Sequence, residues 1–104
     1  MSQQKDIVKK SVKDIEEVVE LFYQQKLQEA LDQFQIVIGN IMTAIDTIFT
    51  FKAEHEEFEF DEIKITSTLK DAMQALEDRD MVLLADILQY DYLEYMNELL
   101  ENME

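Results

Sequence analysis

The groups that could do chemistry in this chain crowd into one run, Glu54-His55-Glu56-Glu57-Phe58-Glu59-Phe60-Asp61-Glu62, with the only histidine and six carboxylates in nine residues. A histidine beside carboxylates is the usual equipment of general acid-base catalysis, and clustered oxygens suit Ca²⁺ or Mg²⁺. The run fits neither pattern. One histidine cannot make a two-histidine metal site, and H-E-x-x-H is absent. The acids lack the D-x-D-x-D-G spacing of an EF-hand loop and the glycine that turns it. None of Ser2, Ser11 and Ser67 sits in the Gly-flanked turn that would expose a nucleophile to His55. Zero cysteines remove disulfides, thiolate zinc sites and thiol nucleophiles together. The expectation is a protein without catalytic residues, cofactor or metal, in which His55 is a surface residue and the acidic run is a solvated connection.

Charge is the more informative property. Nine basic residues against 24 acidic ones give a net charge of −15, which repels nucleic acid phosphates and anionic lipid. Residues 1–26 carry five of each sign, so residues 27–104 hold four basic and 19 acidic residues. An acidic body of this kind suits a basic protein partner, because complementary charge speeds encounter and suppresses wrong contacts. No stretch has the apolar centre and cleavage site of a signal peptide, and the longest run without an ionisable residue, Gln33 to Ile45, is too short to span a bilayer. A cytoplasmic location is expected.

Zero Pro and one Gly in 104 residues point to helices, and the length allows one domain, residues 1–104. Val8, Val12, Ile15, Val19 and Phe22 recur at helical spacing, and the alternation restarts at Leu27, Leu31, Phe34, Ile38, Ile41, Ile45 and Ile48. The slip between Phe22 and Leu27 marks a turn near Gln24 to Lys26; without a Gly or Pro there, one bent helix over residues 5–53 stays open as an alternative. Ile65, Leu69, Met73 and Leu76 form a third stripe, with Thr66 or Ser67 as N-cap. After the short connector Asp78-Arg79-Asp80, a fourth helix capped by Asp80 runs through Leu84, Leu88, Tyr92, Tyr95 and Leu99. The two connectors are mildly alike, as any two antiparallel helix pairs would be. The predicted fold is all-α: a small antiparallel bundle of about four helices, arranged as two helical hairpins joined by the acidic run.

Three features bear on binding. Fifteen of the 23 residues from Met81 to Met103 are apolar or aromatic, more than one core-facing stripe requires. Tyr90, Leu93, Asn97 and Leu100 share one side of that helix, away from Leu84, Leu88, Tyr95 and Leu99, and form the candidate partner-binding face for a client helix or a second copy. Met42 and Met73 fall on or beside core stripes, which leaves Met81, Met96 and Met103 as adaptable thioethers on the last helix. Gly39 interrupts a strong helix at a cost of roughly 1 kcal/mol, a sign that another helix approaches closely.

The stretch Leu76-Glu77-Asp78-Arg79-Asp80-Met81-Val82-Leu83-Leu84-Ala85-Asp86-Ile87-Leu88-Gln89-Tyr90 resembles a segment of small helical proteins of Gram-positive bacteria. Size, acidity and hairpin layout are similar to the small flagellar and type III export chaperones. That resemblance implies a chaperone-like or adaptor role, holding a helical segment of an export substrate, and it transfers no site residue. The leading expectation is a non-enzymatic protein-binding module for a helical or basic segment. The alternatives are a structural homodimer and an acidic DNA mimic that occupies a nucleic-acid-binding protein.

Overall fold

A computed structural model describes residues 3–103; Met1, Ser2 and Glu104 lie outside the described residues. The chain forms α1 (Gln3–Tyr23), α2 (Leu27–Glu54), α3 (Glu62–Glu77), α4 (Met81–Asp86), a π-helical segment (Ile87–Leu93) and α5 (Glu94–Asn102). The last three are one continuous rod, because the backbone stays right-handed helical at both junctions. The result is a four-rod, all-α bundle of two antiparallel hairpins, and no strand occurs among the described residues.

Residues 5–53 are a hairpin and not one bent helix. At the turn Gln25 takes a left-handed φ of 62°, its N–H donates to Phe22 O at 3.0 Å, and Lys26 N–H donates to Leu21 O at 3.0 Å. This is the Schellman ending, which pairs carbonyls that a helix end leaves without partners. The second connector repeats it: Arg79 has φ 58°, with N–H donors from Arg79 to Leu76 O at 3.1 Å and from Asp80 to Ala75 O at 2.9 Å. Every donor and acceptor of the second turn lies 54 positions after its counterpart in the first. The two hairpins therefore share one reversal geometry, which sequence alone showed only as a mild likeness.

The acidic connection, residues 55–61, is fastened by its aromatics and by Lys52. Phe58 is buried and meets Phe51 edge to face at 4.9 Å, while Phe60 meets Phe49 at 5.2 Å. Lys52 Nζ donates to the carbonyls of Glu56 and Phe58, and Asp61 N–H donates to Tyr95 Oη at 2.8 Å. The α3 cap is Asp61, whose carboxylate accepts from Lys64 N–H at 3.0 Å, so the helix starts about one turn before the expected Thr66 or Ser67. Asp80 caps α4 as expected, accepting from Leu83 N–H at 3.1 Å.

Packing follows an order that hydrophobicity alone does not give. α1 lies between α2 and the last rod, and α3 packs on α4 and the π segment. The side chains that seal α3 are Ile65, Thr68, Ala72 and Ala75, whereas Leu69 and Leu76 are half-buried and Met73 is exposed. Small residues let α3 approach its neighbour closely, and this turns the bulky stripe sideways. In α2 the sealed face is Ala30, Phe34, Val37, Ile41, Ala44, Ile45, Ile48 and Phe51, leaving Leu31 and Ile38 half-buried at its edge. By length and apolarity α2 could cross a bilayer, and 39% of its most apolar window is buried within this protein.

The rod's π segment sets the orientation of everything after it. A π turn carries one residue more than an α turn, so it advances the following residues by one position around the axis. The burial pattern shows the step. Phe34 of α2 corresponds to Leu88 at an offset of 54, whereas Val37, Ile41, Ile45 and Ile48 correspond to Tyr92, Met96, Leu100 and Met103 at an offset of 55. Each of these eight residues beyond Phe34 and Leu88 is in the core, and the extra residue is taken up inside Ile87–Leu93.

Candidate interaction surfaces

The face expected from the last helix does not exist as one surface. Tyr90 is 60% exposed and Asn97 is exposed, but Leu93 and Leu100 are 2% and 8% exposed and belong to the core. The spacing of 3, 4 and 3 assumed an unbroken α-helix, and the π segment turns Leu93 and Leu100 inward while Tyr90 stays outside. Two-sided burial accounts for most of the surplus apolar residues. The exposed remainder, Val82, Leu83 and Tyr90, lies toward the turn end of the bundle, where Tyr23 Oη donates to Asp86 Oδ1 at 2.8 Å.

The methionines also exchange roles. Met96 and Met103 are buried and Met81 is half-buried, whereas Met42 is 54% exposed and Met73 is 37% exposed. They lie on two apolar helix edges between which a concavity opens at one end, a feature that sequence reasoning missed. One wall is the edge of α2, with Leu31, Ile38, Met42 and Phe49 at helical spacing; the other is the edge of α3, with Leu69, Met73 and Leu76. The Phe49 to Phe60 contact closes one end, and at the other a concavity is shared by Leu31, Asp32 and Gln35 with Leu76, Glu77 and Arg79. α2 is held mainly by α1, and α3 by the last rod. A signal was present in the sequence: the steps from Leu31 to Ile38, Met42, Ile45 and Phe49 are 7, 4, 3 and 4, a second stripe beside the core stripe.

His55 is half-buried, stacked on Phe51 at 4.0 Å, with Nδ1 held 3.0 Å from Phe51 O. It fastens the end of α2, at the edge of a concavity lined also by Glu57, Glu59 and Asn102. Among the described residues, no group of three or more His, Cys, Asp or Glu side chains is arranged to hold a metal ion.

One polar pair is sealed in the core. Ser11 of α1 and Tyr92 of the π segment are 1% and 0% exposed, and neither hydroxyl completes a hydrogen bond, although Ser11 stands near enough to favour the phenolate slightly. Burial dominates and pushes the Tyr92 phenol up to about 12 from 10.0. A raised folded-state value means that the stabilisation is full below the unfolded value and is lost as pH climbs through the folded one. Stability should therefore fall between pH 10.0 and about 12, by about 2 to 3 kcal/mol from this residue. Tyr92→Phe should remove that part of the alkaline loss while changing neutral-pH stability little, since the hydroxyl has no hydrogen bond to forfeit. Urea titrations of both proteins across that pH range measure the difference.

Comparison with curated proteins and with solved structures gives no match. A family model does match, over residues 1–102, which is nearly the whole of both hairpins and the groove between them. On that match the chain belongs to the family described as Domain of unknown function (DUF8042).

Proposed function

We propose that this chain is a non-enzymatic, cytoplasmic protein-binding module that seats an amphipathic helix of a basic partner in the α2–α3 groove. The supporting observation is the concavity that Leu31, Asp32 and Gln35 of α2 share with Leu76 and Glu77 of α3, beside helix edges that expose Met42 and Met73. Thioether side chains repack around different apolar surfaces at little cost, and a groove between two helices suits apolar anchors spaced one turn apart. Charge supplies the partner's sign. From residue 27 onward only Lys52, Lys64, Lys70 and Arg79 oppose 19 acids. Two of the four are engaged internally, Lys52 on loop carbonyls and Lys64 over the Tyr95 ring at 4.6 Å. A helix carrying lysine or arginine beside its apolar stripe is steered to such a body.

The test is a titration with a short amphipathic peptide of leucine and lysine at helical spacing, followed by NMR of labelled methionine methyl groups. Binding should shift Met42 and Met73 and leave buried Met96 unmoved. The variant carrying Met42→Glu and Met73→Glu is more negative, so charge attraction alone would tighten its binding; seating in the groove requires it to weaken by at least about tenfold, or 1.4 kcal/mol. Tighter or unchanged binding by that variant overturns the proposal.

A further inference from the structure

Two concavities at the turn end of the bundle are counterparts of each other. One, of about 690 Å³, is bounded by Phe22, Tyr23, Gln25 and Leu27 around the first turn and by Val82 and Ala85 of α4. The other, of about 440 Å³, is the one between α2 and α3, bounded by Leu76, Glu77, Arg79 and Met81 around the second turn and by Gln28 and Leu31 of α2. Each residue of the second set stands 54 positions from its counterpart in the first, the offset that also relates the hydrogen bonds of the two turns. The bundle is thus built on an internal two-fold relation that exchanges α1 with α3 and α2 with the last rod. The seam between α1 and the rod has its counterpart between α3 and α2.

The two seams are closed to different degrees. Ile15, Val19 and Phe22 of α1 are buried, whereas their counterparts on α3, Leu69, Met73 and Leu76, are half-buried or exposed. The polar groups differ in the same sense. Across the first seam Tyr23 Oη donates to Asp86 Oδ1 at 2.8 Å. The counterparts of those two residues are Glu77 and Asp32, and both line the second concavity. A phenol can donate to a carboxylate, but two carboxylates offer only acceptors and like charge. Among the described residues, Asp32 accepts from Gln28 Nε2 of its own helix at 2.9 Å, and Glu77 has no partner. Arg79 lines both concavities and forms no ion pair with either acid.

We infer that the donor missing between α2 and α3 comes from the partner: a lysine or arginine at one end of the seated helix, held by Asp32 and Glu77 together beside apolar contacts on Leu31 and Leu76. This inference rests on the helix-in-groove reading and adds the place where the partner's charge must sit. The internal seam is the template, because there two helices are tied at the turn end by one hydrogen bond to a carboxylate. A cationic side chain fits the counterpart position, since it donates and is attracted by both acids. A divalent cation would want six or more oxygens, and among the described residues no third acidic or imidazole group is arranged to join these two.

Isothermal titration calorimetry of the full chain with the leucine–lysine peptide tests it, using two double variants that lose the same charge. Asp32→Asn with Glu77→Gln should weaken binding at least about tenfold. Glu94→Gln with Glu101→Gln, at two exposed acids of the last rod, should weaken it by less than about threefold. Both pairs are isosteric changes at exposed or edge positions, so circular dichroism should stay native. Equal losses would mean that the acids act only by long-range attraction, and they overturn the inference; if the Met42 and Met73 methyl signals still shift in that case, the groove reading stands. A peptide that shifts neither methyl signal overturns both. Glu77→Tyr restores the donor present in the first seam, so it should bond to Asp32, raise the melting temperature and weaken capture of the peptide. Capture by that variant as tight as by wild type also overturns the inference.

Discussion

Leu93→Glu should destabilise the protein by about 4 kcal/mol or more, whereas Tyr90→Glu, three residues earlier, should stay within about 0.5 kcal/mol of wild type. Leu93 is 2% exposed inside the core cluster, so a carboxylate there loses its water with no basic side chain provided for it. Tyr90 is 60% exposed, and its ring leaves little contact behind. A small domain has about 5 to 15 kcal/mol of stability in total, so the first variant should be largely unfolded or marginal and the second native. Urea denaturation followed by circular dichroism measures both. Equal effects at the two positions would show that the rod runs as a plain α-helix with Tyr90 and Leu93 on one side.

The second large effect concerns chain length inside a helix. Deleting one residue normally rotates everything beyond it by about 100°, which in an amphipathic helix exchanges core and solvent faces. Deleting Gln89 should be an exception, because the π segment Ile87–Leu93 already holds one residue too many for an α-helix. Its loss lets the segment close as α-helix with Leu84 and Leu88 before it, and Met96, Leu99 and Leu100 after it, still facing inward. Deleting Thr43, an exposed residue at mid-α2, has no such reserve, and either Ile45, Ile48 and Phe51 or Phe34, Val37 and Ile41 must leave the core. Several Leu- or Ile-sized side chains at about 2 to 5 kcal/mol each exceed the stability of the domain. The expected result is cooperative thermal unfolding for the Gln89 deletion and none for the Thr43 deletion. Loss of cooperativity in the Gln89 deletion would show that the π geometry itself, with Tyr92 at its centre, is required by the core.

The amino-acid order by itself determined the rods, their approximate ends and the two-hairpin layout, because these depend on local spacing. The stripe from Val8 to Phe22 is buried as read, the chain reverses at Gln24 to Lys26, and Asp80 caps the helix that it precedes. Composition likewise fixed the charge, which no fold can change. The tertiary structure decided how each rod is rotated, and therefore which residues face a partner. Size and hydrophobicity favoured Leu69, Met73 and Leu76 as the α3 core, but close approach to the last rod favoured Thr68, Ala72 and Ala75. Period counting placed Leu93 and Leu100 with Tyr90, and one π turn separated them. Gly39 read as a point of close approach in the sequence, yet in the assembled bundle nothing stands within 4 Å of where its Cβ would be. Local spacing says which side of a helix is apolar; how much of that side is covered depends on the distance to its neighbours, and that distance is set by side chains from other parts of the chain.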